Sequence, residues 1–326
     1  MPNPGYELCV VLLNYRTPNM VLDCLETLAS QANELCAKVV VIDNNSPDDS
    51  TKIIQNWINK SSYDSTVELA CSPHNGGFSS GNNFGIRSTK AKYYLLLNSD
   101  TLLRKGALAE MVAAISSDSK IGLLGPRLEW PNETPQESCF RFHRPLSQFV
   151  ASANTGIFTK ILNRYEVAQR VQPTPRNYEW VSFACVMIRN EVFDQIGLLD
   201  EKFFMYFEDV EFCWRAVKAG WLIRNHPSAR VVHLRGGSSL VKTNIAQRKR
   251  QARYLYESRT RYFFLTGGRL GLLASNIFWT LGWLFASLRA LLQKDFVSPA
   301  CEREWKDIWI NFTNPESPYI HPENYK

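Results

Sequence analysis

Val39-Val40-Val41-Ile42-Asp43-Asn44-Asn45-Ser46 places four consecutive β-branched apolar residues directly before a run of short polar ones. Four apolar residues without alternation describe a strand buried on both faces, and such strands belong to parallel sheets covered by helices. The same pattern recurs on either side. Upstream, Leu8 to Leu13 is a continuous apolar run ending at Asn14-Tyr15-Arg16. Thr17-Pro18 then opens a helix in which Met20, Val21, Leu25 and Leu28 repeat at helical spacing, with Thr17 expected to cap it. Downstream, Ser46-Pro47-Asp48-Asp49 opens a helix through Trp57, Val67 to Ala70 is a third strand, and Tyr93 to Leu97 is a fourth that ends at Asn98-Ser99-Asp100. A Gly/Asn-rich segment around His74 to Gly81 reads as a loop between the last two. A helix over Ala107 to Ile115 leads to a further apolar run, Ile121-Gly122-Leu123-Leu124. Strands alternating with helices of this length predict an α/β chain with a mostly parallel, doubly wound sheet.

The 326 residues are 45% hydrophobic and 21% charged, enough to bury a sizeable core. With 37 basic and 31 acidic residues the net charge of +6 is too mild for a general nucleic-acid binder, and no nucleic-acid partner is expected. Eight Cys contain no C-x-x-C pair, and Cys9, Cys71 and Cys185 lie in apolar runs, which predicts reduced, buried thiols. No basic region followed by an apolar stretch occurs near Met1, so no secretory signal is expected. Residues 126–180 carry six Pro and read as a long connection over the sheet. Structure is predicted to resume at Phe183 to Ile188, in a helix carrying Glu208 to Arg215, and in a strand Arg230 to His233 that precedes Leu234-Arg235-Gly236-Gly237-Ser238.

The last third changes character. Arg248, Lys249, Arg250, Arg253, Arg259 and Arg261 face a single acid, Glu257, and Gly271 to Leu288 is free of charge. Leu273, Ile277, Leu281, Leu284, Leu288 and Leu291 share one helical stripe, with Ser275, Gly282, Ala286, Arg289 and Gln293 mostly opposite. That length is near the lower limit for a span, so a helix lying in the membrane surface is the leading expectation, with the basic cluster meeting anionic lipid, and a true span and a core or oligomer helix are the alternatives.

In an open parallel sheet ligands bind beyond the carboxyl ends of the strands, where the polar residues of this sequence sit. Asp43 can accept the imide N–H of uracil or thymine, and Asp100 can hold a divalent cation on a diphosphate. No Walker loop or G-x-G-x-x-G occurs. Glu208-Asp209 begins a helix, whose free N–H groups favour ionised carboxylates. His233, at a strand end, is a candidate metal ligand.

Taken together, Val11-Leu12-Leu13-Asn14-Tyr15, Val41-Ile42-Asp43-Asn44-Asn45-Ser46, Asn75-Gly76-Gly77-Phe78 with Gly81-Asn82-Asn83-Phe84-Gly85, Leu97-Asn98-Ser99-Asp100, Phe204-Met205-Tyr206-Phe207-Glu208-Asp209 and Val232-His233 resemble family 2 glycosyltransferases of the GT-A fold. Within them the chain is most similar to bacterial rhamnosyltransferases that build O-antigen, cell-wall linker and capsule glycans. The resemblance covers roughly residues 6 to 240. It implies a Rossmann-like GT-A domain over residues 1–240, with a nucleotide-sugar-binding half (1–125) and an acceptor and catalytic half (126–240), followed by a basic and amphipathic helical region over 241–326 that associates with a membrane. It further implies that Asn14, Tyr15, Asp43, Asn45, Asn75, Gly76, Asn82, Asn98 and Asp100 bind the donor. Asp100 and His233 would hold Mg²⁺ or Mn²⁺, and Asp209 with Glu208 beside it matches the catalytic base. Trp180, Tyr206 and Arg235 are candidates for the acceptor. Asn98 stands where the family's metal motif has its first Asp, which removes one charge and puts strict metal dependence in doubt.

The implied activity is inverting transfer of a sugar, L-rhamnose from dTDP-L-rhamnose, to a hydroxyl of a glycan or a polyprenyl-diphosphate-linked acceptor. A UDP-hexose is the alternative donor. Expected partners are those substrates, the inner face of the plasma membrane and a second copy of the chain, in a cytoplasmic, peripherally attached protein. Two readings compete. Gly77-Phe78-Ser79-Ser80-Gly81 matches the hydrolase G-x-S-x-G, although Pro73 to Gly77 separate it from the preceding strand. A non-catalytic scaffold would explain the altered Asn98.

Overall fold

The computed structural model describes residues 5–235, 241–293 and 295–325; Gly236, Gly237 and Ser238 lie outside them. In chain order the elements are β1 (Tyr6–Asn14), α1 (Pro18–Glu34), β2 (Lys38–Asp43), α2 (Ser50–Lys60), β3 (Val67–Cys71), α3 (Gly77–Ser88), β4 (Ala91–Asn98), β5 (Thr101–Leu103), α4 (Ala107–Ser116), β6 (Ile121–Glu129) and β7 (Cys139–Phe140). They continue as α5 (Pro145–Ala153), α6 (Gly156–Ile161), β8 (Ala168–Gln169), β9 (Arg176–Tyr178), β10 (Trp180–Val181), β11 (Cys185–Arg189), α7 (Asn190–Ile196), α8 (Glu208–Lys218), β12 (Leu222–His233), α9 (Val241–Ala246), α10 (Arg253–Leu292) and α11 (Glu304–Asp307). Chain contacts divide the molecule into a first unit, Met1–Phe140, Arg170–Glu201 and Phe212–Ser238, and a second, Arg141–Gln169, Lys202–Glu211 and Ser239–Lys326.

The first unit is built on one sheet of order β3-β2-β1-β4-β11-β6-β12-β5, with β9 also on β12. β3, β2, β1 and β4 are mutually parallel, as the unbroken apolar runs require, and β6 is parallel to β12. β11 runs antiparallel between β4 and β6. Successive residues of β1 serve opposite faces. Leu8, Val10 and Leu12 join Val39, Val41, Leu25 and Leu28 in the main apolar cluster. On the other face Val11 and Leu13 meet α3, where a Cβ added at Gly81 would lie 2.5 Å from Leu13 Cδ1 and one added at Gly85 would strike Val11. This is why Gly77–Ser88 is a helix although its composition reads as a loop. The small residues let α3 approach the sheet closely, and packing outweighs their low helix propensity. Thr17 does not cap α1 with its side chain; its N–H and hydroxyl both donate to Asn14 Oδ1 at 3.2 Å.

All eight cysteines are free thiols. Six are buried, but Cys36 and Cys71 are exposed, which corrects the expectation for Cys71: the last residue of β3 escapes the layer that covers the rest of the strand.

The second unit is helical. α10 is kinked at Gly268, where the backbone turns left-handed (φ 63°, ψ −167°). Its second half carries the expected leucine stripe. Leu281 is 47% and Leu291 83% exposed, and Leu273, Ile277, Leu284 and Leu288 are exposed with them. The buried face holds Ser275, Asn276, Gly282 and Ala286, and it packs on α5, with Ser152 Oγ–H donating to the Trp279 carbonyl at 2.9 Å. The basic run differs from expectation. Arg259 is buried, donating to Gln148 Oε1 at 3.0 Å and to Asn276 Oδ1 at 2.7 Å, and burial lowers its pKa to about 10. Arg250 pairs with Asp307, Arg253 with Glu257, and Arg261 lies over the Phe203 ring. Four of the six basic side chains therefore have partners inside this unit, with those of Arg250 and Arg253 still partly exposed.

Candidate functional site

The parallel strands of the first unit end together, and their last residues interlock. Asn14 lies directly opposite Asp43 in the β1–β2 register. Asn14 Nδ2 donates to Asp43 Oδ1 at 2.7 Å, and the Ser46 N–H donates to Asp43 Oδ2 at 2.9 Å. Asp43 is 1% exposed, yet each oxygen has one protein partner and keeps a lone pair for another donor. The turn after it is made by Asn45, which is exposed with a left-handed φ of 58°, a conformation Asn tolerates. Tyr15 is half-buried at the end of β1.

Around this carboxylate runs an amide network. Asn44 Nδ2 donates to Asn75 Oδ1 at 2.9 Å and to the Gly77 carbonyl at 3.0 Å, and the Gly77 N–H returns a bond to Asn75 Oδ1 at 3.1 Å. Asn82 Nδ2 is satisfied by the Phe78 carbonyl at 2.9 Å. Asn44 Oδ1, Asn82 Oδ1 and Ser79 Oγ are buried without a hydrogen-bond partner. A buried acceptor without a donor costs about 1–3 kcal/mol. Asn44, Ser46 and Thr17 belong to the same constellation. The Asp43-x-x-Ser46 spacing of an Asx turn is a readable signal for Ser46, while Asn44 and Thr17 carry none of their own.

The fourth strand end supplies a second cluster. Asn98 is half-buried at the end of β4, with its N–H bonded to the Ala184 carbonyl at 3.0 Å. Asp100 and His233 are both buried and meet at 3.4 Å between Oδ2 and Nε2, because β5 pairs antiparallel with the end of β12 and the Leu234 N–H binds the Asp100 carbonyl. His233 Nδ1 is buried with no partner. One carboxylate oxygen and one imidazole nitrogen in contact fit two positions of a divalent cation's shell, with phosphate oxygens and water left to complete it. Among the described residues no three His, Cys, Asp or Glu side chains form a ready-made metal cage.

Gln136, which sequence reasoning did not single out, holds this cluster. Its Nε2 donates to the His233 carbonyl at 2.7 Å and to the Glu129 carbonyl at 3.2 Å, and its Oε1 accepts from Arg235 Nε at 2.6 Å. Arg235 is exposed, left-handed (φ 56°) and set over the Trp130 ring. Gln136 sits in an irregular, proline-bearing segment where no periodicity marks it. Trp180 is buried and stacked on Phe140 at 4.0 Å, so one of its faces is already covered.

In the second unit, Tyr206 and Phe207 both have left-handed φ (71° and 67°) immediately before Glu208 opens α8. Each such residue costs about 1–2 kcal/mol outside glycine, and such strain gathers at functional positions. Asp209 Oδ1 accepts from the Val210 N–H at 2.8 Å, and Glu208 Oε2 is buried without a partner. Burial raises both carboxyls, Glu208 well above its ordinary range with the Asp209 charge adding to the rise, and Asp209 to about 6. The helix dipole favours the ionised forms, but desolvation and the carboxyl neighbour outweigh it. A carboxyl poised near neutrality suits proton abstraction.

The family model described as glycosyl transferase family 2 matches residues 9–197. The chain belongs to this family. Among curated relatives, this family 2 chain is 27% identical over 194 residues to the N-acetylglucosaminyl-diphospho-decaprenol L-rhamnosyltransferase of Mycobacterium tuberculosis, an alignment covering 58% of the chain and 60% of that relative's length. It is 24% identical over 266 residues to the dTDP-rhamnosyl transferase RfbF of Shigella flexneri, covering 79% and 81%. Among solved structures, that of GalNAc-T7 with UDP, GalNAc and Mn²⁺ superposes with a TM-score of 0.59 at 15% identity, over 95% of this chain and 55% of that one. The fold is therefore GT-A, as the motif order implied. Ser79 of the G-x-S-x-G match is fully buried inside α3, not on a strand-to-helix turn, so it lacks the exposure a hydrolase nucleophile needs.

Proposed function

We propose that the protein is an inverting glycosyltransferase that moves L-rhamnose from dTDP-L-rhamnose to a hydroxyl of a glycan or lipid-linked saccharide in the assembly of bacterial surface polysaccharide. The observation that carries this reading is the buried Asp43 carboxylate, oriented by Asn14 and Ser46 at the carboxyl end of a parallel sheet and still able to accept one more hydrogen bond. A pyrimidine imide N–H is the donor that matches it. Asn14, Tyr15, Asn45, Asn75, Gly76, Asn82 and Asn98 complete the proposed donor site, with the partnerless amide oxygens of Asn44 and Asn82 available to donor hydroxyls or N–H groups. Residues 1–125 would form the nucleotide-sugar-binding half and 126–240 the acceptor half, to which Trp180, Tyr206 and Arg235 are assigned.

In the proposed reaction the acceptor oxygen attacks the anomeric carbon from the face opposite the nucleotide, the bond from that carbon to the diphosphate oxygen breaks, and the configuration inverts. Asp209 takes the acceptor proton, while burial and the neighbouring Asp209 charge raise the pKa of Glu208 and make a second negative charge there costly. Asp100 and His233 would hold Mg²⁺ or Mn²⁺, which when bound supplies positive charge to the leaving diphosphate. The exposed leucine stripe of α10 supports peripheral attachment to the inner face of the plasma membrane, where a polyprenyl-diphosphate acceptor would be met.

Calorimetric titration with dTDP and UDP, each with Mg²⁺ and then with chelator, tests the reading. Magnesium-dependent binding of dTDP is expected. Tighter UDP binding would move the donor to a UDP-hexose, which offers Asp43 the same imide edge, and no binding of either nucleotide would overturn the transferase assignment.

A further inference from the structure

The turn that presents Asp209 is held by the far C-terminal segment. Phe204, four residues before Glu208, has its ring 5.4 Å from Tyr254, 5.2 Å from Tyr319 and 5.4 Å from His321. Tyr254 is the second residue of α10, and its ring lies nearly parallel to that of Tyr206, at 11° and 6.3 Å. One helical turn on, Ser258 Oγ–H donates to the Met205 carbonyl at 3.1 Å, and a further turn on, Tyr262 lies 5.4 Å from Phe207. Positions 254, 258 and 262 share one face of the helix, so a single stripe of α10 touches residues 204, 205, 206 and 207 in turn.

The tail is pinned to the same stripe. The Tyr254 N–H, in the first turn where a helix offers its own N–H groups no acceptor, donates to Tyr325 Oη at 2.9 Å. The Ile320 N–H donates to Glu257 Oε2 at 3.2 Å, while Arg253 Nε takes the other oxygen at 2.7 Å. Pro318 precedes this stretch and Pro322 lies within it, and both restrict its backbone in advance. Two successive left-handed residues without glycine persist only where the surroundings over-determine them.

We propose that residues 319–325 form a strap that locks Phe204 and the Tyr206–Phe207 backbone against α10, making Tyr319 a positioning residue for Asp209. This rests on Asp209 being the base. The test uses the full chain with Tyr319→Ala, Tyr319→Phe and Tyr325→Phe, and Asp209→Asn as the control. Two quantities are read: amide hydrogen exchange, and release of dTDP from dTDP-L-rhamnose with water as acceptor. In Tyr319→Ala the Val210 and Glu211 amides should exchange at least tenfold faster while those of β1 and β4 keep their rates. The turnover number should fall at least tenfold with the donor KM within about twofold, and Tyr319→Phe should restore both. If Tyr319→Ala does not fold, Tyr325→Phe is read in the same way and should show the same split. A folded strap variant with unchanged exchange at Val210 and Glu211 and unchanged turnover overturns the strap. Normal turnover in Asp209→Asn instead removes the base, and the exchange result then stands or falls alone.

Discussion

Asp209→Asn is expected to remove transfer and, at neutral pH, to stabilise the protein. Both effects follow from burial of a carboxyl whose pKa rises from 3.8 to about 6 on folding. One pKa unit corresponds to about 1.4 kcal/mol, so a charged Asp209 costs the folded state up to ~3 kcal/mol at pH 7, and the partial exposure of this side chain brings the expectation to ~1–3 kcal/mol. The folded state binds the proton more tightly than the unfolded chain. The Asp209 contribution to stability therefore declines as pH rises from about 4 through about 6, and below about 4 both states are protonated and the cost is absent. Asparagine carries no charge and escapes this dependence. Scanning calorimetry between pH 4 and 8 should show matching midpoints for wild type and variant at pH 4 and a variant advantage of a few degrees above pH 7, at roughly 2 °C per kcal/mol for a chain of this size. Loss of the general base should lower turnover by about 10²–10⁴, with dTDP affinity unchanged within a few-fold. A stability difference that does not grow between pH 4 and 7 would refute the burial argument, and near-normal turnover would remove Asp209 from the mechanism.

Asp43→Ala should weaken dTDP binding at least tenfold, since a hydrogen bond to a charged acceptor contributes about 1.5–3 kcal/mol; an unchanged dissociation constant in calorimetry counts against its role. His233→Ala should reduce Mn²⁺ affinity measured by titration of the metal in the presence of dTDP, and Gln136→Leu should do so to a smaller degree, because it frees the His233 carbonyl without touching the ring. If Gln136→Leu leaves the cation affinity at the wild-type value, the Gln136 bond has no part in placing His233. Replacing Leu281, Leu284 and Leu288 together with Asp should abolish co-sedimentation with vesicles containing anionic lipid without lowering the unfolding midpoint, as these side chains are exposed; retained sedimentation would reject the stripe as the attachment surface.

The parallel half of the sheet was legible because a strand buried on both faces has to be apolar at every position, and Val39 to Ile42 and Tyr93 to Leu97 leave no other reading. The placement of Asp43, Asn14 and Asp100 at strand ends was legible for a related reason, since polar residues abruptly following such strands stand out, and that edge is where the donor site is proposed. The leucine stripe of α10 was also readable, because helical spacing alone sets which side chains share a face. What that face opposes was not readable. Ser275, Asn276 and Gly282 point inward because α5 and Arg259 supply the close contacts and hydrogen bonds they need, and the basic run lost four charges to partners scattered between residues 148 and 307. α3 hid in glycine and asparagine because its stability comes from approach to β1, not from propensity. The Gln136 bond to His233 and the Tyr319 contact with Phe204 join residues 97 and 115 positions apart, and no local pattern encodes them or the left-handed Tyr206–Phe207 pair. Sequence alone determined which polar residues stand at its strand ends; only the tertiary structure decided which groups are desolvated, paired or held in strain, because those properties depend on neighbours brought together by folding.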